Sequence, residues 1–487
     1  MSDWFLPAAE RPWTTGNAVV PLVHGATYFA RLAEVVGATR AGDEVCFTDW
    51  RGDADQQLTD DGLTVTDLLC GAARRGVVVR GLLWRSHSDK TSFSAQENQE
   101  LGVLINQAGG QALLDERVRR GGSHHQKLVV VRHRDRPTDD VAFVGGIDLC
   151  HSRRDDAGHQ GDLQRQKMDR RYGDRPPWHD AMVELHGPAV GDVLQSFVQR
   201  WNDPTPLDHR NPYRRLRQRA ADMPRHPEPM TAATGGGPPA GRHEVQILRT
   251  YPAKHPAFPF APRGERTIAR AYEHAFGRAQ RLVYIEDQYL WSDVIAGALA
   301  DALRRRPQLQ VIAVVPRFPD DDGRFCGPPN RLGQLAALKL LREAGGERFA
   351  AYDLVSDDGM PIYVHAKVCI VDDAWMTCGS DNFNRRSWTH DSELTAAVVD
   401  PEGSLLPALR TQLWSEHLGV PDDDPRLADP DTASALWRET ARSGSGRARP
   451  HQPASVSGLH RAWAHPLQRL VDDPDGRPLR DRLRRTF

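Results

Sequence analysis

The sequence predicts an α/β fold of two similar α/β/α sandwich halves, related by pseudo-twofold symmetry, with an active site at their interface. Three observations support this prediction. Strand-like and helix-like segments alternate along the chain, which favours parallel strands with helices outside. The same order of segments occurs twice. Each copy then reaches a strand-like run that contains a histidine and a lysine two positions apart.

The composition is typical of a large soluble protein. The chain has 487 residues, enough for several domains or one duplicated unit, and 39% are hydrophobic against 26% charged. A net charge of −2 provides no general attraction to nucleic acid. No apolar run approaches the ~20 residues that span a bilayer, and the N-terminus lacks the pattern of a signal peptide. We therefore expect a cytoplasmic monomer.

Hydrophobic periodicity predicts matching elements in the two halves. In the first half, it places helices at about 25–36, 64–74 and 190–201, and strands at 44–50 and 77–84. In the second half, it places helices at 294–304 and 332–343, and strands at 281–285 and 309–316. In each half the histidine-containing run follows the two predicted strands, and in the first half the helix at 190–201 comes after this run.

Changes in composition suggest the domain boundaries. We predict a first half at 1–215, a Pro/Gly-rich linker at 216–241, a second half at 242–421 and a C-terminal extension at 422–487. A basic cluster precedes the linker and consists of Arg210, Arg214, Arg215, Arg217 and Arg219. A solvated helix face is the favoured interpretation of this cluster. A site for lipid headgroups or nucleic-acid phosphate is the alternative.

The two histidine motifs are the strongest functional signal. His125 and Lys127 lie in one alternating run, and His365 and Lys367 lie in the other. Alternate residues of a strand point to the same face. A Gly-Gly or Gly-Ser turn follows each run, and the second turn contains Asn382. Two copies suggest one site built from two halves.

This residue set suits the cleavage of a phosphodiester. The reaction needs a nucleophile, a proton donor for the leaving oxygen, and cations or amide donors for the non-bridging oxygens. His125 and His365 could supply the first two, and Lys127, Lys367 and Asn382 could bind the oxygens. The six cysteines lie scattered without metal spacing, so we expect buried free thiols. No cofactor and no metal are predicted.

The motif pair resembles the HKD signature of the phospholipase D superfamily, and the likeness covers roughly residues 15–420. Further segments that look like those of true phospholipases D are Gly145–Cys150, Trp178–Asp180, Gly187–Val190, Arg200–Trp201, Tyr284–Tyr289 and Asp391–Leu394. The resemblance implies that His125 attacks phosphorus and forms a phosphohistidine. It also implies that His365 protonates the departing alcohol and then activates water or a primary alcohol.

The resemblance further implies that a carboxylate orients each imidazole. Glu393 is the expected carboxylate in the second half, and Asp155 occupies the matching place in the first half, although Asp156 beside it leaves this choice ambiguous. The first motif departs from the family pattern at Arg132, where an acid is expected. An insertion in a hairpin would explain this departure, with Asp135, Asp139 or Asp140 taking over.

The resulting functional prediction is a phospholipase D-type phosphodiesterase. It would hydrolyse glycerophospholipid at a membrane surface to phosphatidic acid and a headgroup alcohol, with transfer of the phosphatidyl group to an alcohol as a further reaction. The alternatives are a phosphatidyl transferase of the cardiolipin synthase kind, a nuclease, or an inactive phosphate-binding scaffold. Nucleic acid is the less favoured partner because the chain is not strongly basic.

Overall fold

The structure is a computed structural model that describes residues 3–85, 95–207, 216, 227–231, 235–320, 327–453, 468, 472–484 and 486–487. The basic cluster of five arginines lies outside the described residues, as do Cys326 and most of 216–234. The extension at 422–487 is described in part.

The described residues form eleven α-helices. In the first half they are α1 (Gly25–Gly37), α2 (Val65–Arg74), α3 (Ala95–Gln107) and α4 (Ala189–Trp201). Those that follow are α5 (Thr267–Arg278), α6 (Asp293–Arg305), α7 (Gly327–Gly345), α8 (Arg385–Thr389), α9 (Leu405–Leu418), α10 (Pro430–Ser443) and α11 (Leu479–Arg484). The predicted helices are confirmed to within a few residues. In helix α2, for example, Thr64 and Asp67 form a capping box, which fixes the start of the helix close to the predicted residue.

The strands of the first half are β1 (Thr14–Val23), β2 (Glu44–Asp49), β3 (Val78–Trp84), β4 (Gln111–Asp115), β5 (Leu128–Arg132), β6 (Val141–Gly145), β7 (Trp178–His179) and β8 (Ala181–His186). The later strands are β9 (His243–Tyr251), β10 (Glu265–Arg266), β11 (Leu282–Glu286), β12 (Gln310–Val314), β13 (Phe349–Val355), β14 (Pro361–Val364), β15 (Val368–Val371), β16 (Trp375–Gly379), β17 (Glu393–Val399) and β18 (Ala448–Pro450).

Strand pairing shows that the two halves have the same topology. The first sheet has the order β4–β3–β2–β5–β6–β8–β1. The second has the order β13–β12–β11–β15–β16–β17–β9. In each sheet the first three strands are parallel and the others pair antiparallel. The parallel sheet predicted from the sequence is therefore found only in part, because each histidine motif leads into a hairpin that adds antiparallel strands.

Two strand contacts join the halves. Strands β1 and β9, which occupy equivalent ends of the two sheets, pair antiparallel with each other. Strand β14 of the second half pairs parallel with β7 of the first, so that Tyr363 lies opposite Trp178 and Val364 opposite His179. Equivalent strands that meet antiparallel are what a pseudo-twofold axis requires. The α/β fold of two similar halves is therefore confirmed.

The three largest hydrophobic clusters of the described residues surround the sheets. One lies on the outer face of the first sheet, where α1, α2 and α3 pack. A second lies on the outer face of the second sheet under α5, α6 and α7. The third contains residues from the inner faces of both sheets, together with α4, α9 and α10. Because one core is shared by both sheets, the halves form a continuous buried interface around the site.

Both histidine motifs differ from their predicted secondary structure. The strand predicted across each motif starts only after the lysine, at Leu128 in β5 and at Val368 in β15. Residues 365–367 separate β14, which pairs with the first half, from β15, which pairs with β11. The chain changes partners at the motif, and alternation of side chains alone does not reveal such a change.

The predicted hairpin insertion is present. Residues 133–140 connect β5 to β6, whereas residues 372–374 connect β15 to β16. In the second half, Asp372 accepts hydrogen bonds from three backbone amides, at residues 280–282. In the first half, Asp140 instead accepts from His133 N (2.7 Å) and pairs with Arg132 (2.6 Å). Asp140 and Asp372 therefore both fix backbone amides by hydrogen bonds, and both lie away from the imidazoles.

The C-terminal extension contributes to the second half. Strand β18 pairs antiparallel with β13, and α10 packs into the shared core. The backbone amide of Arg386 donates to Asp473 Oδ1 (2.8 Å), so the described part of the tail also reaches α8. The exact domain boundaries stay predictions. None of the described helices is long and apolar enough to cross a membrane, and the five described cysteines are free and buried as expected.

Candidate active site

His125 of the first half is held by a carboxylate of the second half. Its Nδ1 lies 2.9 Å from Glu393 Oε2 and 3.1 Å from Oε1. Ser380 Oγ also donates to Glu393 Oε2 (2.6 Å), which fixes the carboxylate. The backbone continues this contact, because His125 N donates to Ser392 O (2.9 Å). A carboxylate on Nδ1 selects the tautomer that leaves Nε2 with a free lone pair.

His365 of the second half shows the reciprocal arrangement. Its Nδ1 lies 2.6 Å from Oδ2 of Asp180, a residue of the first half. The Asp180 carboxylate is fully buried and also accepts from Ala181 N (2.9 Å). The backbone amides of His365 and Ala366 both donate to His179 O. Each half thus supplies one imidazole and the carboxylate that orients the other.

Strand register identifies Asp180 and Glu393 as equivalent residues. Gly145 pairs with Met182 in the first sheet, and Gly379 pairs with Thr395 in the second. Asp180 and Glu393 each lie two positions before these paired residues. The equivalence corrects the sequence prediction, in which Asp155 matched Glu393.

Asp155 and its neighbour Asp156 lie in a loop and do not face an imidazole of the two motifs. Asp155 Oδ2 accepts from Trp178 N (2.8 Å) and Oδ1 accepts from Gly161 N (3.1 Å). Asp156 Oδ1 accepts from Gly158 N (2.8 Å). Asp155 therefore fixes the backbone that leads into the Trp178–Asp180 segment. Its influence on His365 is indirect, because Asp180 is the residue of this segment that contacts His365.

The two lysines lie beside the imidazoles and are buried. Lys127 Nζ donates to His125 O (3.1 Å) and forms an ion pair with Asp148 (3.3 Å). Lys367 Nζ donates to His365 O and lies 3.4 Å from Gln288 Oε1. Burial, together with the nearby charge of Lys127, lowers the pKa of Lys367 to about 8, although Asp180 opposes the shift. The ammonium groups of the two halves therefore act on one pocket.

Asn382 and Asp148 occupy equivalent turn positions but differ in charge. Asp148 is neutralised by Lys127, which holds the pKa of this carboxyl below its ordinary value against the effect of burial. The Asn382 side chain is buried, and its Oδ1 has no hydrogen-bond partner among the described residues. Asn382 thus places a neutral amide, with an unpaired oxygen, at the position where the first half has a paired carboxylate.

An arginine and a tryptophan that were not among the predicted site residues lie near His365. The Trp178 ring lies 5.1 Å from the His365 ring, and the Arg153 guanidinium lies 4.1 Å from the Trp178 ring centroid. Burial lowers the pKa of His365 well below its ordinary value, and Lys367 and Arg153 lower it further. Cations therefore lie close to an imidazole whose pKa is low, an arrangement that suits an anionic ligand.

Comparisons with known proteins identify the family of this chain. A family model described as phospholipase D matches residues 40–294, more than half of the chain. The chain belongs to the phospholipase D family. A second model, described as a cardiolipin synthase, PLD-like domain, matches residues 272–413. The expected family is thereby confirmed.

Related proteins of this phospholipase D family are distant in sequence. The chain is 27% identical to phospholipase D alpha 2 of Arabidopsis thaliana, over 77% of this chain and 61% of that protein. It is 26% identical to phospholipase D A of Dictyostelium discoideum, over 81% of this chain and 35% of that protein. The chain thus spans at most about three fifths of the length of these relatives.

A solved structure supports the fold. Phosphatidylserine synthase of Haemophilus influenzae superimposes with a TM-score of 0.56 and 14% identity, covering 89% of this chain and 96% of that chain. At this identity the likeness concerns the fold alone.

Proposed function

We propose that this protein is a phosphodiesterase of the phospholipase D type. It would hydrolyse a glycerophospholipid to phosphatidic acid and the headgroup alcohol. The observation that carries this proposal is the reciprocal pairing in the pocket, where two imidazoles are each oriented by a carboxylate of the opposite half and flanked by a buried lysine. Such a site can supply a nucleophile and a proton donor on opposite sides of one phosphorus.

In the first step, His125 Nε2 attacks phosphorus and forms a nitrogen–phosphorus bond while the bond to the headgroup oxygen breaks. Glu393 stabilises the positive charge that develops on this imidazole. His365 Nε2 gives its proton to the departing oxygen. An anionic phosphate among Lys127, Lys367 and Arg153 counters the cations that depress the pKa of His365, so substrate binding favours the protonated form that this step requires.

In the second step, His365 accepts a proton from water, which attacks the phosphohistidine and releases phosphatidic acid. A primary alcohol in place of water would give transfer of the phosphatidyl group instead. Lys127, Lys367 and the amide of Asn382 would bind the non-bridging oxygens in both steps. Glu393 and Asp180 remain as positioning residues throughout.

A phosphatidyl transferase is the second candidate. The match of residues 272–413 to the cardiolipin synthase, PLD-like domain favours it. It differs from the first candidate only in the acceptor of the second step, since the pocket chemistry is shared. The nuclease alternative has no comparable support, because the net charge is −2. The scaffold alternative rested on Arg132, which belongs to the hairpin and faces Asp140.

Product analysis on defined lipids tests the proposal. Phosphatidylcholine, phosphatidylethanolamine and phosphatidylglycerol in mixed micelles should yield phosphatidic acid and the free headgroup, and added ethanol should divert part of the product to phosphatidylethanol. His125→Ala protein is the control. A transferase would make cardiolipin from phosphatidylglycerol and little phosphatidic acid. Absence of any His125-dependent product from these lipids and from a soluble phosphodiester would reject the phosphodiesterase function. Cytoplasmic location and the monomeric state stay predictions.

Replacing Gly146 should damage the site without removing any reacting group. An added Cβ at this position would lie 2.2 Å from Asp180 Oδ1, so Gly146→Ala must displace the carboxylate that orients His365. Misplacement on the order of 1 Å lowers kcat by about 100-fold. Steady-state kinetics on a soluble phosphodiester measures this loss. Gly277→Ala in α5 is the control, because its added Cβ meets nothing within 4 Å. Equal activity of both variants would contradict the positioning role.

Lys367 should set an alkaline limit on activity. Its pKa of about 8 means that the free enzyme loses this cation as the pH rises through 8, so kcat/KM should fall above that pH. Lys367→Arg keeps a cation at all accessible pH values and should remove this limb while lowering the plateau. The measurement is the pH profile of kcat/KM on a soluble phosphodiester. An unchanged alkaline limb in Lys367→Arg would show that another group titrates there.

A further inference from the structure

Behind the Trp178–Asp180 segment lies a buried group of histidines and glutamates from both halves, which we call the inter-half cluster. Its members are His24, His159, His179, Glu286, Glu416 and His417. The first three belong to the first half and the last three to the second. All four histidines are at most 5% exposed. None of these residues has a role in the proposed phosphoryl transfer.

The cluster converges on the carboxylate of Glu416. His24 Nε2 lies 2.8 Å from Oε2, and His159 Nε2 lies 2.9 Å from Oε1. The Nδ1 atoms of His179 and His417 lie 3.8 and 4.0 Å from Oε1. Four ring nitrogens from four separate segments therefore face one carboxylate.

The outer ring nitrogens of three histidines are fixed by acceptors. His159 Nδ1 lies 3.1 Å from Trp178 O, and the Nε2 atoms of His179 and His417 each lie 2.8 Å from an oxygen of Glu286. An N–H donated outward leaves a lone pair on the inner nitrogen of each ring. A carboxylate or carbonyl on the outer nitrogen is the usual support of a metal-binding histidine.

The inner nitrogens of His179 and His417 are left unsatisfied by hydrogen bonding alone. Both Nδ1 atoms are buried and have no hydrogen-bond partner among the described residues. Buried polar atoms of this kind are costly unless a partner satisfies them. In neutral rings, the Nδ1 lone pairs of His179 and His417 would face the lone pairs of the Glu416 carboxylate. Such an arrangement requires a positive charge between them.

We infer that this cluster binds one divalent transition metal ion of the zinc type. The ligands are His24 Nε2, His159 Nε2, His179 Nδ1 and a carboxylate oxygen of Glu416. One ligand atom from each of these residues lies within 4.8 Å of the others. Bonds of about 2.0–2.1 Å in a tetrahedral site require ligand atoms about 3.4 Å apart. To bind the ion, the His24 and His159 nitrogens would move slightly away from Glu416, and the more distant His179 nitrogen would move slightly closer. Three imidazoles disfavour calcium and magnesium, which prefer oxygen ligands.

The four protein ligands close the coordination shell, which is typical of a structural site. The ion would tie α9 of the second half to β7 and two loops of the first half. It would also support the catalytic pocket indirectly, because His179 O accepts from His365 N (2.8 Å) and Asp180 is the next residue along the chain. His125 and His365 are not among the ligands, so the proposed ion would take no direct part in the phosphoryl transfer.

In the competing explanation, the histidines of the inter-half cluster are protonated and no metal ion binds. Arg447 Nη1 lies 3.6 Å from Glu416 Oε1, and protonated histidines could balance the two glutamates without a metal. The two explanations make opposite predictions for metal binding by the folded protein, and this binding can be measured without any assay of lipid cleavage.

The test uses the full chain after removal of metal with dipicolinate. Titration with Co²⁺ should give one bound equivalent with the intense visible bands of tetrahedral coordination, and Zn²⁺ should displace it. Zn²⁺ should also raise the Tm of the metal-free protein. His159→Gln and Glu416→Gln should each weaken Co²⁺ binding by at least about 100-fold. His451→Gln is the matched control, since His451 is a buried histidine bonded to Asp353 outside the cluster.

If a variant fails to fold, the Co²⁺ titration of the wild-type protein is sufficient to test the metal-binding inference. Folded wild-type protein that binds no stoichiometric Co²⁺, or binds it with the weak bands of octahedral coordination, would overturn the inference. So would unchanged affinity in folded Glu416→Gln. Loss of lipid hydrolysis with metal binding intact would instead count against the proposed function alone.

Discussion

Replacing either His125 or His365 with alanine should lower turnover of a soluble phosphodiester by at least about 10⁴-fold, and replacing both should cost little more. The physical reason is that the two imidazoles act on the same phosphorus atom, one as nucleophile and one as proton donor. Once either is missing, the other has no complete reaction to assist. Fixed-time and steady-state assays of the two single variants and the double variant measure the loss of turnover.

His186→Ala provides the control for these variants. His186 is a partly exposed histidine of the first half whose ring bonds Glu184 (2.7 Å) and lies outside the pocket, so its loss should leave kcat nearly unchanged. About half of the wild-type activity in either His125→Ala or His365→Ala would mean two independent sites. That result would contradict the shared pocket on which the mechanism depends.

The second large effect is expected for the exchanged carboxylates. Glu393→Gln and Asp180→Asn should each lower kcat by about 10²–10⁴-fold, because the imidazole loses the group that sets its tautomer and stabilises its positive charge. KM should change much less. Each variant should impair the histidine of the opposite half, since Glu393 contacts His125 and Asp180 contacts His365.

Asp155→Asn separates the structural assignment from the one made on sequence. Asp155 holds backbone amides of its loop and of Trp178, so this variant should keep most of kcat and show its effect mainly on Tm. A loss as large as that of Asp180→Asn would mean that Asp155 also acts on an imidazole when substrate is bound. Near-normal kcat in both Glu393→Gln and Asp180→Asn would reject the reciprocal arrangement.

Much of the fold was predictable from local pattern. Helices such as α1 and α2 have apolar residues at helical spacing, and β2 and β3 are compact apolar runs, so their bounds fell within a few residues of the prediction. The repeated order of elements also predicted the duplicated halves. Strands β1 and β9 were missed, because their partners lie far away in the sequence and their side chains alternate less clearly.

The catalytic histidines could be predicted from the sequence, whereas the carboxylate of the first half could not. His125 and His365 occur in two copies of a short motif, and such a copy is visible without a structure. Asp155 was wrongly matched to Glu393 because the first half has a long connection (residues 146–179) where the second half has a short one (residues 380–392). Counting positions from the histidine therefore led to Asp155, whereas strand register leads to Asp180.

The inter-half cluster could not be predicted at all. Its ligands come from a strand–helix junction, a loop, a short strand and a helix, and no two of the proposed ligands are close enough in sequence to form a recognisable metal motif. Each histidine taken alone is more readily explained as a structural residue. Only the folding of both halves around Glu416 brings these residues together.

The residue that becomes phosphorylated distinguishes the proposed mechanism from its alternatives. His365→Ala protein mixed with a phosphodiester whose leaving group needs no proton should form a stable adduct, because the first step can proceed but the water of the second step is not activated. Peptide mass spectrometry should place the phosphoryl group on His125, and His125→Ala protein should form none. An adduct on any other residue, or no adduct in His365→Ala protein that cleaves the substrate, would contradict the mechanism.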